Sequence, residues 1–300
     1  MDESAVVFGG QSLVGVLCEP AQAKEIAVIF VNAGNTHRCG PNRLYTILAR
    51  RLAAKGYASL RFDISGIGDS PPATDLGKFR DYAARQVREA MDYLAKAKGH
   101  PHVVMLGLCG GADIAFDGGA ANERAAGLVL VNGAFVDGDA FADLYHKASC
   151  TTANRFYAAG LFSPRRWWRL VTFQSQFWKR LARRRQAAPP AHTACDRSTA
   201  AMASVDSRLK WETLARRKAN VLLIYSEGSV FWDIYKAANE DYLKSCYPAD
   251  RLAVAFHKNA DHTFTLLSAQ ERLANHIEQW LDTLPPIHSI AERRAIGESI

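Results

Sequence analysis

The stretch VVMLGLCGGADIA, residues 103–115, decides how the rest of the chain is read. An apolar, β-branched run ends in glycines set around one cysteine, and a segment of helical character follows. Gly107-Leu108-Cys109-Gly110-Gly111 fits the pattern G-x-nucleophile-x-G at a strand-to-helix turn. Such a turn is sharp and strained. Its neighbours must be small so that the helix can approach the strand, and the central side chain is lifted above the sheet. The helix N-terminus behind it offers partial positive charge and unpaired N–H groups, which favour a thiolate and a developing oxyanion. Cys109 is therefore the candidate nucleophile and the amide of Gly110 a candidate oxyanion donor. The competing reading is an inert buried cysteine beside helix-packing glycines.

Working outward, strand and helix alternate on both sides of this turn. AVVFGGQSLVGVLCEP (5–20) reads as a hairpin about Gly9-Gly10, and EIAVIFVNAG (25–34) as a strand buried on both faces. NRLYTILARRLAAKG has helical periodicity, YASLRFD is a strand, and LGKFRDYAARQVREAMDYLAKAKG is a long amphipathic helix. AAGLVLVNGAF, NVLLIYSEG and RLAVAFH are further strands, with helices expected at Asp233–Cys246 and from Thr263 onward. This rhythm implies βαβ crossovers and a mostly parallel sheet flanked by helices. It breaks at 136–218, a segment with no β-branched run. The expected organisation is an α/β core at 1–135 and 219–283, an inserted helical cap at 136–218, and a tail at 284–300.

Composition sets further bounds. The chain has 300 residues, a formal net charge of +7 and 48% hydrophobic residues, as a globular protein does. Its first ten residues carry no secretory pattern and no run has the length of a membrane span, so a cytoplasmic location is expected. The six cysteines (18, 39, 109, 150, 195 and 246) show no CxxC pairing or metal spacing. Free thiols, no metal and no cofactor are expected.

A base should follow the last core strand, and NADHTF (259–264) places His262 there, at the expected start of the final helix. At this point the chain resembles the α/β-hydrolase superfamily, most of all bacterial serine-aminopeptidase-type hydrolases and the related exosortase-associated hydrolases. The carriers are NAGNTHRCGPNRLYTILARRLAAKGYASLRFDISGIGDS (32–70), GLCGG (107–111) and NADHTF. The family normally has serine at the elbow; a minority, dienelactone hydrolases among them, has cysteine. The resemblance implies that the turn Asn32-Ala33-Gly34 supplies the second oxyanion amide. It implies that Asp63, Gly66, Gly68 and Ser70 shape the adjoining loop, and that Asn32 and Asn35 lie where substrate or a partner is bound. It also implies an aspartate after the penultimate core strand, where this chain reads Ser226-Glu227-Gly228-Ser229. Asp233, Glu227 and Asp137 remain as candidates for the acid that orients the histidine, Asp233 foremost. A thiol needs that acid less than a hydroxyl does.

SPRRWWRLVTFQSQFWKRLARRR (163–185) is the most biased stretch. It places Trp167, Leu170, Phe173, Phe177 and Leu181 on one helical stripe, among basic residues and no acidic ones. Arg183, Arg184 and Arg185 suit an acidic partner, the phosphates of coenzyme A, an acyl carrier protein or an anionic membrane surface; nothing resembles a nucleic-acid reader. The expected function is acyl transfer or hydrolysis through a Cys109 acyl-enzyme, on a thioester. The rivals are a dienelactone-hydrolase-like ester or lactone hydrolase and a non-catalytic binding module on a decayed hydrolase fold.

Overall fold

The computed structural model describes residues 1–72, 78–136, 141–149 and 207–285. Its strands are β1 Asp2–Phe8, β2 Leu13–Glu19, β3 Ile26–Val31, β4 Ser59–Phe62, β5 His102–Leu108, β6 Ala125–Val131, β7 Asn220–Gly228 and β8 Leu252–Asp261. They form one sheet in the order β1-β2-β4-β3-β5-β6-β7-β8. Only β2 runs against the others. The β1–β2 hairpin turns at Gly9 (φ +62°), where a Cβ would strike the Glu89 carboxylate.

The central strands are apolar throughout because both faces are covered. Ala27, Ile29 and Val31 of β3 face one core, shared with α2 Phe79–Lys98, α3 Gly110–Ala121 and α4 Ser207–Arg216. Val28 and Phe30 face the other, shared with α1 Leu44–Ala54 and α6 Leu267–Asp282. β7 divides in the same way, with Val221, Leu223 and Tyr225 on the first side and Leu222 and Ile224 on the second. Each fully buried side chain of this size contributes about 1.5–3 kcal/mol. Between β7 and β8, Phe231–Ile234 leads through a π-turn, Tyr235–Asn239, into α5, Glu240–Cys246.

Two boundaries differ from the expectation. The chain divides into two compact units, Met1–Phe135 with Asp206–Ile300, and Val136–Val205. Residues 206–218 therefore belong with the sheet and not with the insertion. The reason is α4: Trp211 is fully buried, 4.5 Å ring to ring from Phe116 of α3 and edge-on to Phe135 and Tyr247. A helix that packs on a sheet carries no β-branched run, so the break in rhythm overstated the insertion. Of the second unit, a helix at 141–149 is described, with the rings of Phe141 and Tyr145 one turn apart at 5.5 Å. The stretch 163–185, with Arg183, Arg184 and Arg185, lies outside the described residues, as do Asp137 and the tail beyond 285.

The final helix also starts late. It begins at Leu267, so His262 sits in the turn that precedes it. Asp261 holds that turn open: its carboxylate accepts from Thr265 N (2.7 Å), Thr265 Oγ1 (2.7 Å) and Thr263 Oγ1 (3.0 Å). Among the described residues no helix is long and apolar enough to cross a membrane.

Candidate active site

Cys109 joins β5 to α3 with φ 56° and ψ −127°. A non-glycine residue adopts this conformation only where its surroundings impose it, and here two glycines do. A Cβ on Gly107 would lie 2.1 Å from Gly111 O, and one on Gly111 would lie 2.4 Å from Asn32 O. Helix α3 thus rests directly on the backbone of β5 and on the end of β3. The Cys109 N–H donates to Val131 O (2.9 Å), which ties the elbow to the last residue of β6. Tyr45, buried on α1, completes the frame. Its hydroxyl donates to Val31 O and accepts from Leu108 N, both at 3.0 Å, and so clamps the ends of β3 and β5 together.

The two turns expected to supply the oxyanion amides lie side by side. A Cβ on Gly110 would sit 3.6 Å from Gly34 Cα and 3.8 Å from Gly34 N, while one on Gly34 (φ +58°) would meet nothing within 4 Å. The Ala33–Gly34 turn is held from behind by Asn32, which is buried. Its Nδ2 donates to Thr36 O (2.9 Å) and Asp63 Oδ1 (3.1 Å), and its Oδ1 accepts from Ile64 N (2.9 Å). Those bonds occupy the side chain, so Asn32 braces the loop and is not free to bind substrate, contrary to expectation. Asn35 is exposed on the same turn. Asp63 also accepts from Arg38 N (2.6 Å), pairs with the Arg38 guanidinium and accepts from Asp69 N (3.2 Å). Ser70 Oγ donates to Asp63 O (2.6 Å) and accepts from Val14 N (2.9 Å). His37, Asp63 and Asp69 gather their ligand atoms within 4.8 Å of one another, and Arg38 already supplies positive charge to both carboxylates.

His262 is positioned from two sides. Asn132, buried at the end of β6 with φ 50°, donates Nδ2 to His262 O (2.9 Å) and to Ser226 Oγ (3.0 Å), while its Oδ1 accepts from Ser226 N (2.9 Å). One side chain therefore links the strand beside the elbow, the end of β7 and the histidine turn. Sequence reasoning missed it; the signal was an Asn-Gly pair immediately after an apolar strand. On the ring itself, Ser229 Oγ lies 3.0 Å from Nδ1. The group against Nδ1 is thus a buried hydroxyl and not the carboxylate of Asp233 or Glu227. Glu227 is spent elsewhere, accepting from Asn259 N (2.8 Å). Asp233 lies in the helical turn after Ser229, its N–H donating to Val230 O. The Phe231 ring lies 5.5 Å from the imidazole.

Replacing Asn132 by alanine strands Ser226 N and releases the histidine turn. We expect a stability loss of about 2–4 kcal/mol, read by urea unfolding; a change under 1 kcal/mol would contradict the linking role.

The environment of both Cys109 and His262 favours the uncharged form. Burial pushes the Cys109 thiol above its ordinary 9.0, the Asp113 carboxylate adds to this, and the Gly110 amide opposes it. The helix N-terminus is outweighed, so the resting thiolate expected from the sequence is not favoured. Burial lowers His262, against a smaller opposing effect of Asp261. Among the described residues no hydrogen bond joins Sγ to the imidazole, and such bonds often tighten only when substrate binds. Because alkylation proceeds through the thiolate, iodoacetamide should label Cys109 at a rate that still climbs past pH 9. A plateau below pH 7 would mean a preformed ion pair.

Residues 23–207 match the family described as "Serine aminopeptidase, S33". The chain belongs to this family of α/β hydrolases. No curated protein sequence matches it. Among solved structures, a dienelactone hydrolase from Anabaena variabilis is 17% identical, with 95% of this chain and 99% of that one covered and a TM-score of 0.58. A proline iminopeptidase from Mycobacterium smegmatis gives 14%, 94%, 98% and 0.60. The esterase Pf2001 from Pyrococcus furiosus gives 12%, 94%, 93% and 0.58. These likenesses are of fold. In this hydrolase the elbow side chain is a thiol, although the family is named for a serine. A cavity of about 350 Å³, lined by Asn220, Arg251, Leu252, Trp280 and Pro285 among others, lies at the opposite ends of β7 and β8, away from Cys109.

Proposed function

We propose that this hydrolase forms an acyl-enzyme on Cys109 from a thioester, with His262 as the base and the amides of Gly110 and the Ala33–Gly34 turn receiving the oxyanion. The observation that carries this reading is the pairing of a thiol at the elbow with a hydroxyl, Ser229, on Nδ1 of the histidine. An imidazolium formed in a buried site with a hydroxyl and not a carboxylate on Nδ1 is costly. A thiol yields its proton to so weak a base far more readily than a serine hydroxyl, and it is intrinsically the better nucleophile. Thioesters match it because they also release a thiol. The basic run at 163–185 favours carrier forms with negative charge, a coenzyme A thioester or an acylated carrier protein.

Intact-protein mass spectrometry after mixing with a panel of acyl-CoA thioesters tests the reading directly. The expected result is an acyl-sized mass gain in the wild type that is lost in Cys109→Ala. Retention of the adduct in the variant would remove Cys109 as nucleophile. Free small esters turning over as fast as thioesters would instead favour the ester or lactone activity suggested by the dienelactone hydrolase likeness. Ligand-induced stabilisation that persists in Cys109→Ala, with no adduct in either protein, would point to a binding module.

A further inference from the structure

We propose that Ser229 is a positioning residue that biases this site toward acyl transfer, so that the acyl-enzyme is discharged by a thiol or amine acceptor in preference to water. The inference rests on the acyl-enzyme reading above and extends it to the fate of the acyl group. Its basis is geometric. Ser229 Oγ stands 3.0 Å from Nδ1 and also lies 3.3 Å from Phe231 N, whose N–H it accepts. It is buried in the turn that follows β7. A carboxylate there could only accept, so it would hold the proton on Nδ1, leave Nε2 bare as the base and stabilise the charged ring. A hydroxyl can accept from Nδ1–H or donate to a bare Nδ1, and it brings no charge in either role. Ser229 therefore gives the His262 ring neither an enforced tautomer nor a counter-charge at Nδ1.

The two half-reactions make unequal demands on such a base. In the first, Cys109 Sγ bonds to the acyl carbon, the substrate C–S bond breaks, and the Sγ proton passes through His262 Nε2 to the departing sulfur. A thiol is exchanged for a thiol, and the charged ring is short-lived. In the second, the acceptor bonds to the acyl carbon, the Cys109 C–S bond breaks, and the acceptor's proton returns to Sγ. Water must be deprotonated as it attacks and asks most of His262. A thiol surrenders its proton easily, and a neutral amine attacks before losing one. A hydroxyl in place of a carboxylate at Nδ1 thus slows hydrolysis more than it slows acylation or transfer.

The experiment follows the Cys109 adduct by mass after rapid removal of excess acyl-CoA, in buffer alone and with N-acetylcysteamine (thiol) or glycinamide (amine). In the wild type the adduct should persist in buffer, and at least one acceptor should shorten its life tenfold or more, with the matching acylated product formed. Whichever acceptor works identifies the class. Ser229→Asp should hasten decay in buffer about tenfold, a larger gain than it gives to acylation. It should also move the acid limb of the hydrolysis profile to higher pH, because a carboxylate on Nδ1 raises the imidazole pKa. A role in packing alone would not produce that pH shift. Wild-type partition with the acceptors needs no variant, so it decides the matter even if Ser229→Asp folds poorly. An adduct that hydrolyses as fast as it forms and ignores both acceptors overturns the inference while leaving the acyl-enzyme intact. No adduct at Cys109 from any thioester overturns the reading beneath it, and this inference falls with it.

Discussion

Cys109→Ser is expected to lower kcat/KM on a thioester by at least about 10³-fold, although it exchanges one atom for a smaller one and disturbs no contact of the elbow. In serine-histidine-aspartate centres the orienting carboxylate accounts for about 10⁴ in kcat. A hydroxyl placed at 109 would meet His262 without that help, because Ser229 occupies Nδ1. Adding Ser229→Asp should then return about 10- to 100-fold, whereas the same change beside the native thiol should leave acylation within threefold. The four proteins form a double-mutant cycle whose coupling, about 1.4–2.7 kcal/mol, measures how far nucleophile and orienting group are matched. Activity within tenfold of wild type in Cys109→Ser alone would show that the hydroxyl is activated without a carboxylate and would sink the matching argument.

Gly111→Ala should be severely damaging, with a loss of about 3 kcal/mol or more, or no folded protein at all. The added carbon would sit 2.4 Å from Asn32 O and 2.7 Å from Val31 O, both main-chain atoms that cannot rotate away. Relief would require α3 to lift from β3, which would also separate Gly110 from Gly34. Gly110→Ala, one residue earlier on the same helix, provides the folding control, since a Cβ there would be in ordinary contact, 3.6 Å from Gly34 Cα. Thermal and urea unfolding of the two variants side by side would decide the point. A melting temperature for Gly111→Ala within two degrees of wild type would mean that the helix can retreat freely.

The strands were legible because burial on both faces writes itself as an unbroken apolar run, and Ala27 to Val31 divide alternately between two cores as that reading requires. The elbow was legible because only glycine tolerates contacts such as those at Gly107 and Gly111. Other parts were hidden in side chains whose residue type fits several uses. Tyr45 sits on the apolar stripe of α1 and looks like core; nothing in that pattern announces that its hydroxyl joins two strands. Asn32 at a strand end suggests a ligand-binding group and is instead consumed by its own loop. Asn132 was hidden because its partners, Ser226 and His262, are distant in sequence, and at Ser229 the sequence showed the missing aspartate but not that the hydroxyl itself meets the histidine ring. α4 was assigned to the insertion because a helix that packs on the sheet through Trp211 and Leu214 has the same periodicity as one that does not.

The elbow's backbone contacts have a consequence for how such a catalyst can change over generations. The path of the chain through residue 109 is set by glycines on either side and by main-chain atoms of β3 and β6, not by the atom that residue 109 carries. The turn behaves as a socket, indifferent to what is plugged into it. Position 229, in a different loop 120 residues further along the sequence, is a second socket, the one that decides what the Nδ1 of His262 meets. On the proposed chemistry, a lineage on this frame could pass between a hydroxyl-bearing and a thiol-bearing centre by substitutions at two sites, with the folding problem left untouched. The order of those steps matters: a carboxylate acquired first costs the thiol enzyme little, whereas a hydroxyl acquired first strands it.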